Sequence, residues 1–318
     1  MSYKASSFLS AEINSYIKFR ENSGYKQSSF NRELNRFDKY LIEKSVQDDE
    51  LTYELVNAFI YRKDGRSSST MTNEWSVLKG FFNYLYEKGY RVPLLQNSDI
   101  PVKRRFFPHI YTTDEVSRYF EAADSYKSTK SWLPELQVPV IFRLLYCCGL
   151  RISECLSLKK KDIDFTYKAI ILRETKFGNQ RSVLMNEDIF SLLKKFADKR
   201  FYQLKSDDYI FQSRAGTKLT SYAIHKIHKV LLEMAGIPFL GGGKGPRVHD
   251  WRHTFAVCSL HSMLDSNISF DKAVQLLSEV MGHTNVLSTE YYLRETIEAF
   301  PETMNKLTEY LELYKYEN

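Results

Sequence analysis

From Val248 to Tyr292 the chain reads VHDWRHTFAVCSL, then a helical run, then VMGHTNVLSTEYYL. This stretch holds His249, Arg252, His253 and His283, with Tyr291 and Tyr292 at its end. Upstream, GLRISE at 149–154 adds Arg151 and Glu154. These are residue types that handle a phosphate. Arginine forks match phosphate oxygens and stay charged at any working pH. Two of them would stabilise the extra negative charge of a pentavalent phosphoryl transition state. A tyrosine hydroxyl, with a pKa of about 10, attacks phosphorus only with a base and a positive field beside it. The leaving hydroxyl of a nucleotide needs a proton donor, which a loop lysine or a histidine can supply. The set suffices for transesterification of a phosphodiester without a metal. No clustered Asp and Glu pattern demands Mg²⁺.

A competing chemistry has to be weighed. His249 and His253 stand four apart at a helix start, the spacing of a zinc pair. Asp250 stands where such a site needs Glu, and Arg252 would repel a cation. The pair therefore reads as part of a phosphate site, and neither a metal nor a cofactor is expected.

The elements that must hold these residues are mostly helices. Residues 7 to about 95 show amphipathic spacing, as in Phe30, Leu34, Phe37 and Leu41, or Trp75, Leu78, Phe81, Phe82 and Leu85. Thr52 can cap a third helix, and Gly89 ends a fourth. Four such helices with short loops make a small bundle. Arg62, Lys63, Arg66 and Lys79 in it are candidates for a backbone phosphate or for solvated surface. Residues 92–110 read as a linker, with prolines that interrupt any helix and the basic run Lys103, Arg104, Arg105.

A second domain begins at Thr112, which forms a capping box with Glu115. Helices are expected at 112–123, 138–148, 187–200, 221–235, 250–263 and 271–281, then at 288–299 and 302–315. The β-rich runs KAIILR (168–173) and RSVLM (181–185) flank ETKFGNQ and predict a hairpin turning at Gly178 and Asn179. The fold class is thus mainly α with a small antiparallel β-sheet.

Composition narrows the classes. The chain has 318 residues, 43% hydrophobic and 26% charged, a globular balance with room for two cores. No apolar run reaches about 18 residues, and the N-terminus lacks a secretory pattern, so a cytoplasmic protein without membrane contact is expected. Four cysteines in apolar patterns read as buried reduced thiols rather than a disulfide framework. The net charge of +6 permits a nucleic-acid partner without requiring one.

The arrangement resembles the tyrosine recombinases, the phage-integrase family of site-specific DNA recombinases. The resemblance implies an N-terminal four-helix core-DNA-binding domain (1–91), the linker (92–110) and an α+β catalytic domain with a C-terminal tail helix (111–318). GLRISE resembles the family's first-arginine motif, which makes Arg151 a phosphate clamp and Glu154 its orienting carboxylate. TKFGNQRSV resembles the lysine-bearing β-turn, which makes Lys176 the general acid. Phe177 stands there in place of a common glycine, and Leu184 in place of a common proline. HDWRH resembles the His-x-x-Arg signature, with His249 as proton acceptor and Arg252 as second clamp. Gly282-His283 resembles the next motif, in which His283 bonds the scissile phosphate. STEYYL resembles the nucleophile motif, and its spacing from Thr289 and His283 selects Tyr292 over Tyr291. Lys103, Arg104, Arg105 and Arg181 are expected DNA contacts.

The implied activity is cutting and rejoining of DNA through a 3′-phosphotyrosyl intermediate, to move a mobile element or to resolve chromosome dimers. The implied assembly is a homotetramer on two duplexes carrying a specific core site, with accessory proteins allowed for. The tail, Glu302 to Tyr316, would dock on a neighbouring subunit or on its own domain. The alternatives are a type IB topoisomerase-like relaxing enzyme and a DNA-binding regulator without catalysis.

Overall fold

The computed structural model describes residues 5–24, 30–62, 64–96, 108–128, 133–173, 180–239, 241 and 245–282. The chain divides into two compact units, Met1–Phe106 and Phe107–Asn318. The division falls inside the segment read as a linker.

In the first unit the described helices are α1 (Ser10–Asn22), α2 (Asn31–Glu43), α3 (Tyr53–Ile60) and α4 (Ser68–Glu87), with one 3₁₀ turn at Asp48–Glu50. Their starts follow side-chain chemistry. The hydroxyls of Thr52 and Ser67 accept from the Leu55 and Thr70 amides at 3.3 and 3.2 Å, which satisfies donors that a helix start leaves open. The apolar stripes meet in one core, where Phe37 lies edge-on to Phe59 and Phe82 at 5.1 and 5.9 Å. Two carboxylates are fully buried and paired. Asp38 accepts from the Ser6 and Ser7 amides and the Ser7 hydroxyl. Glu74 accepts from Arg36, Arg62 and Arg66. Two of the arginines weighed for phosphate contact thus neutralise an internal charge, while Lys79 lies over the Trp75 ring at 4.9 Å.

The second unit holds α5 (Thr113–Ser125), α6 (Leu133–Cys147), α7 (Ile152–Leu156), α8 (Glu187–Arg200), α9 (Ser221–Met234), α10 (Asp250–Asp265) and α11 (Phe270–Met281). Strands β1 (Ile163–Asp164), β2 (Ala169–Leu172) and β3 (Arg181–Leu184) form one antiparallel sheet in that order. The register pairs Leu172 with Arg181 and Ala169 with Leu184. The expected hairpin supplies β2 and β3. Strand β1 was not expected, because two residues carry no alternation to read.

Helix α6 begins five residues before the expected Val138 and runs through Pro139. The missing proline amide costs one helical hydrogen bond. Burial of Val138, Val140, Ile141, Phe142, Leu144 and Leu145 outweighs it. Gln137 pins the turn before the proline by exchanging hydrogen bonds of 3.1 and 2.9 Å with the backbone of Gln212.

Helix α10 joins two cores. Trp251 enters the main one, stacked on Tyr111 at 3.8 Å and packed against Tyr119 and Phe120. Ala256, Val257, Leu260 and Leu264 pack with Ala273, Val274, Leu277 and Met281 of α11. Among the described residues no helix is long and apolar enough to cross a membrane.

Candidate active site

The site is built where the loop after α6, the start of α10 and the end of α11 meet. Gly149 ends the α6 segment at φ +57°, a conformation that costs side-chain-bearing residues. A Cβ there would also lie 2.3 Å from the Phe255 ring. This close approach brings Arg151, in extended conformation, to the head of the five-residue α7. One turn on, Glu154 reaches back. Its Oε2 accepts from the Arg151 amide at 2.9 Å, and its Oε1 from Arg151 Nη1 at 2.7 Å.

Glu154 is only 3% exposed, yet it is surrounded by cations. Arg181, from β3, donates Nη1 and Nη2 to its two oxygens at 3.0 and 2.9 Å, a forked pairing. Arg252 Nη1, from α10, lies 3.9 Å from Oε2. Burial pushes the Glu154 carboxyl up, but hydrogen bonds from Arg181 and from the Arg151 amide, the charge of Arg181 and the Arg151 side-chain bond bring it down to about 2. The group is a carboxylate throughout the neutral range.

The last carbonyls of α11 take up the same three arginines. Val280 O accepts from Arg181 Nε at 3.0 Å, Met281 O from Arg252 Nη2, and Gly282 O from Arg151 Nη2 at 3.2 Å. A helix C-terminus leaves these carbonyls without intrahelical partners and carries partial negative charge, so guanidinium groups stabilise it. Gly282 caps the helix in the left-handed region at φ +61°, ψ +48°. Arg252 also donates to Gly149 O, and its side chain is 2% exposed. The cluster therefore holds three guanidinium charges against one carboxylate, a surplus of two positive charges before the helix dipole is counted.

His249 is the residue before α10, and Arg252 lies in the first turn of that helix. Burial first, then the charges of Arg252 and Arg247, lower the His249 imidazole to about 4. It is neutral near pH 7 and open to a proton. Asp250 is fully buried and accepts from the Arg247 amide at 2.9 Å and from its guanidinium, which fixes the entry into the helix. His253 sits edge-on to His249, ring centroids 4.9 Å apart. Among the described residues no three His, Cys, Asp or Glu side chains group as a metal site would require.

The structure thus brings together Arg151, Glu154 and Arg252, with His249 within electrostatic reach. Lys176, His283, Tyr292, Lys103, Arg104 and Arg105 lie outside the described residues, as do the tail and the two helices expected after 287. Arg181 was expected as a DNA contact. Its guanidinium is engaged by Glu154 and Val280, and its side chain is 12% exposed. Sequence reasoning had no signal for this, because its partners lie 27 and 99 residues away. The Arg247–Asp250 pair was also missed, although its i, i+3 spacing before a helix was a usable signal.

Comparison with known proteins places this geometry. A protein of Sinorhizobium fredii named as an integrase/recombinase is 27% identical over 301 residues, covering 93% of this chain and 95% of its own. Tyrosine recombinase XerD of Oceanobacillus iheyensis is 26% identical over 282 residues, covering 85% and 87%. The crystal structure of a lambda integrase tetramer bound to a Holliday junction shares the fold, with a TM-score of 0.63 at 19% identity over 89% of this chain and 76% of that one. The model of the phage integrase family matches residues 110–298, which is more than half of the chain and contains every element of the arginine cluster. The chain belongs to the phage integrase family.

Proposed function

We propose that this protein cuts and rejoins DNA at a specific site, with Tyr292 as the nucleophile. The enzyme is a DNA strand transferase of the tyrosine-recombinase class. The Tyr292 hydroxyl attacks the scissile phosphorus as its proton passes to neutral His249. The bond from phosphorus to the 5′-oxygen breaks, and that oxygen takes a proton from Lys176. Arg151 and Arg252 hold the non-bridging oxygens, and His283 hydrogen-bonds the same phosphate. The product is a 3′-phosphotyrosyl link and a free 5′-hydroxyl. Attack by the 5′-hydroxyl of a second duplex reverses the step, so the phosphodiester energy is conserved and no nucleotide triphosphate is consumed. Four copies act on two duplexes, and the work is done in the cytoplasm, where the DNA is.

One observation carries this reading. Arg151 and Arg252, 101 positions apart in the sequence, donate to consecutive carbonyls at the end of α11, directly before His283 and ten residues before Tyr292. A surplus of two positive charges matches the dianionic character of a phosphodiester under attack. The test uses Tyr292→Phe. On duplex recovered from the wild-type covalent complex, this variant is expected to bind and form no covalent product, while Tyr291→Phe forms it. A covalent product from Tyr292→Phe would reject the assignment.

A further inference from the structure

Arg181 was expected only as a DNA contact, yet its guanidinium joins three elements. From β3 it forks onto both oxygens of Glu154 in α7 at 3.0 and 2.9 Å, and its Nε donates to Val280 O of α11 at 3.0 Å. The approach is tight. A Cβ on Gly282 would meet Arg181 Nη1 at 2.7 Å and Cζ at 3.0 Å, so glycine there makes room for the contact as well as capping the helix. Resting on the reading of Arg151 and Arg252 as phosphate clamps, we propose that Arg181 is a positioning residue that holds Glu154 in the orientation fixing Arg151 and keeps that carboxylate from discharging Arg252.

The argument is one of lone pairs and charge. A carboxylate offers about four acceptor positions. At Glu154 two are taken by the amide and Nη1 of Arg151 and two by Arg181. Without Arg181, half of that capacity is open, and the nearest other cation is Arg252, which donates to Gly149 O and Met281 O and whose Nη1 already lies 3.9 Å from Oε2. The carboxylate would turn toward it. Arg151 would lose its fixed orientation, and one carboxylate would then neutralise two clamps instead of three guanidinium groups. The surplus positive charge at the phosphate position would fall from two to one. The charged groups that face Glu154 are Arg151 at the head of its own helix, Arg181 from β3 and Arg252 from α10. Lys159, Lys161, Asp162 and Arg173 line the adjoining cavity. Of the last, Arg173 pairs with Asp162 at 2.9 Å and Lys161 with Asp207 at 2.6 Å, so neither replaces Arg181.

The experiment measures single-turnover attachment of the full chain to its recovered target duplex from pH 5 to 8. DNA affinity is measured separately in the Tyr292→Phe background. Arg181→Gln is expected to slow attachment roughly 10- to 100-fold, the cost of a displaced clamp, with affinity unchanged. The acid limb of its pH profile should move to higher pH, because Glu154 loses the strongest hydrogen bonds that keep it ionised. Arg181→Lys keeps the charge without the fork and should recover part of the rate. In a Glu154→Gln background the same Arg181→Gln change should cost less than about twofold, since the partner it acts through is already gone. A wild-type rate and pH profile for Arg181→Gln would overturn the proposal, as would full additivity with Glu154→Gln. If Arg181→Gln does not fold, Arg181→Lys decides, and a wild-type rate and profile from it would be contradictory. A wild-type chain that never attaches to DNA would remove the underlying reading itself, a result distinct from attachment unaffected by Arg181.

Discussion

At the scale of single residues, the site depends on groups held in one protonation state by their surroundings. His249 and His228 are both neutral in the fold. Burial lowers His249 to about 4, helped by the charges of Arg252 and Arg247, and lowers His228 to about 3. His228 Nδ1 meets the Tyr119 hydroxyl at 2.6 Å inside the core. Unfolded, both titrate near 6.5, so from there down to about 4 the unfolded chain binds protons that the folded chain refuses. Glu154, held at about 2, adds a further loss below its ordinary value of 4.5. Stability is therefore expected to be flat between about pH 7 and 8, below the range where unfolded thiols ionise, and to fall as pH drops from 6.5 to 4. Thermal unfolding followed by circular dichroism at half-unit steps checks this. In His249→Asn part of the slope should vanish, and a midpoint that rises on acidification would contradict the account. The residue types in the site were legible because GLRISE and HDWRH place charged groups at helix starts. The roles of Arg181 and Val280 O were not, since a pairing across 99 residues leaves no local pattern.

At the scale of elements, the helices announced themselves by caps and apolar stripes. Thr112 and Glu115 form the expected capping box, with bonds of 3.2 and 3.0 Å, and Glu115 Oε2 also meets His109 Nε2 at 3.0 Å. The expected break between the helices at 250–263 and 271–281 falls between Asp265, the end of α10, and Phe270, the start of α11. Two element bounds were missed: α6 starts at Leu133 rather than Val138, and β1 is too short to detect. Thr112→Ala is expected to destabilise the second unit by about 1 kcal/mol, with Thr112→Ser close to wild type. Urea unfolding checks it, and the midpoint should move without a change in slope. An unchanged midpoint would show that the Glu115–His109 contact alone secures the start of α5.

At the scale of the whole molecule, the chain forms two compact units, and the surplus charge of the arginine cluster lies in the unit that the family match covers. The division into two units was readable from the proline-bearing basic segment 92–110, inside which it falls. The course of the target DNA was not, because base readout rests on a few side chains whose groove placement no spacing reveals. The central claim concerns one bond. Genomic fragments incubated with the chain, denatured and digested with protease, would leave the reactive residue attached to DNA, and mass spectrometry of that peptide would identify it. The account predicts a 3′-phosphate ester on Tyr292, with one recurrent sequence at the joined end. A link to Tyr291 or Ser288, or a 5′-phosphate ester on any residue, would contradict it.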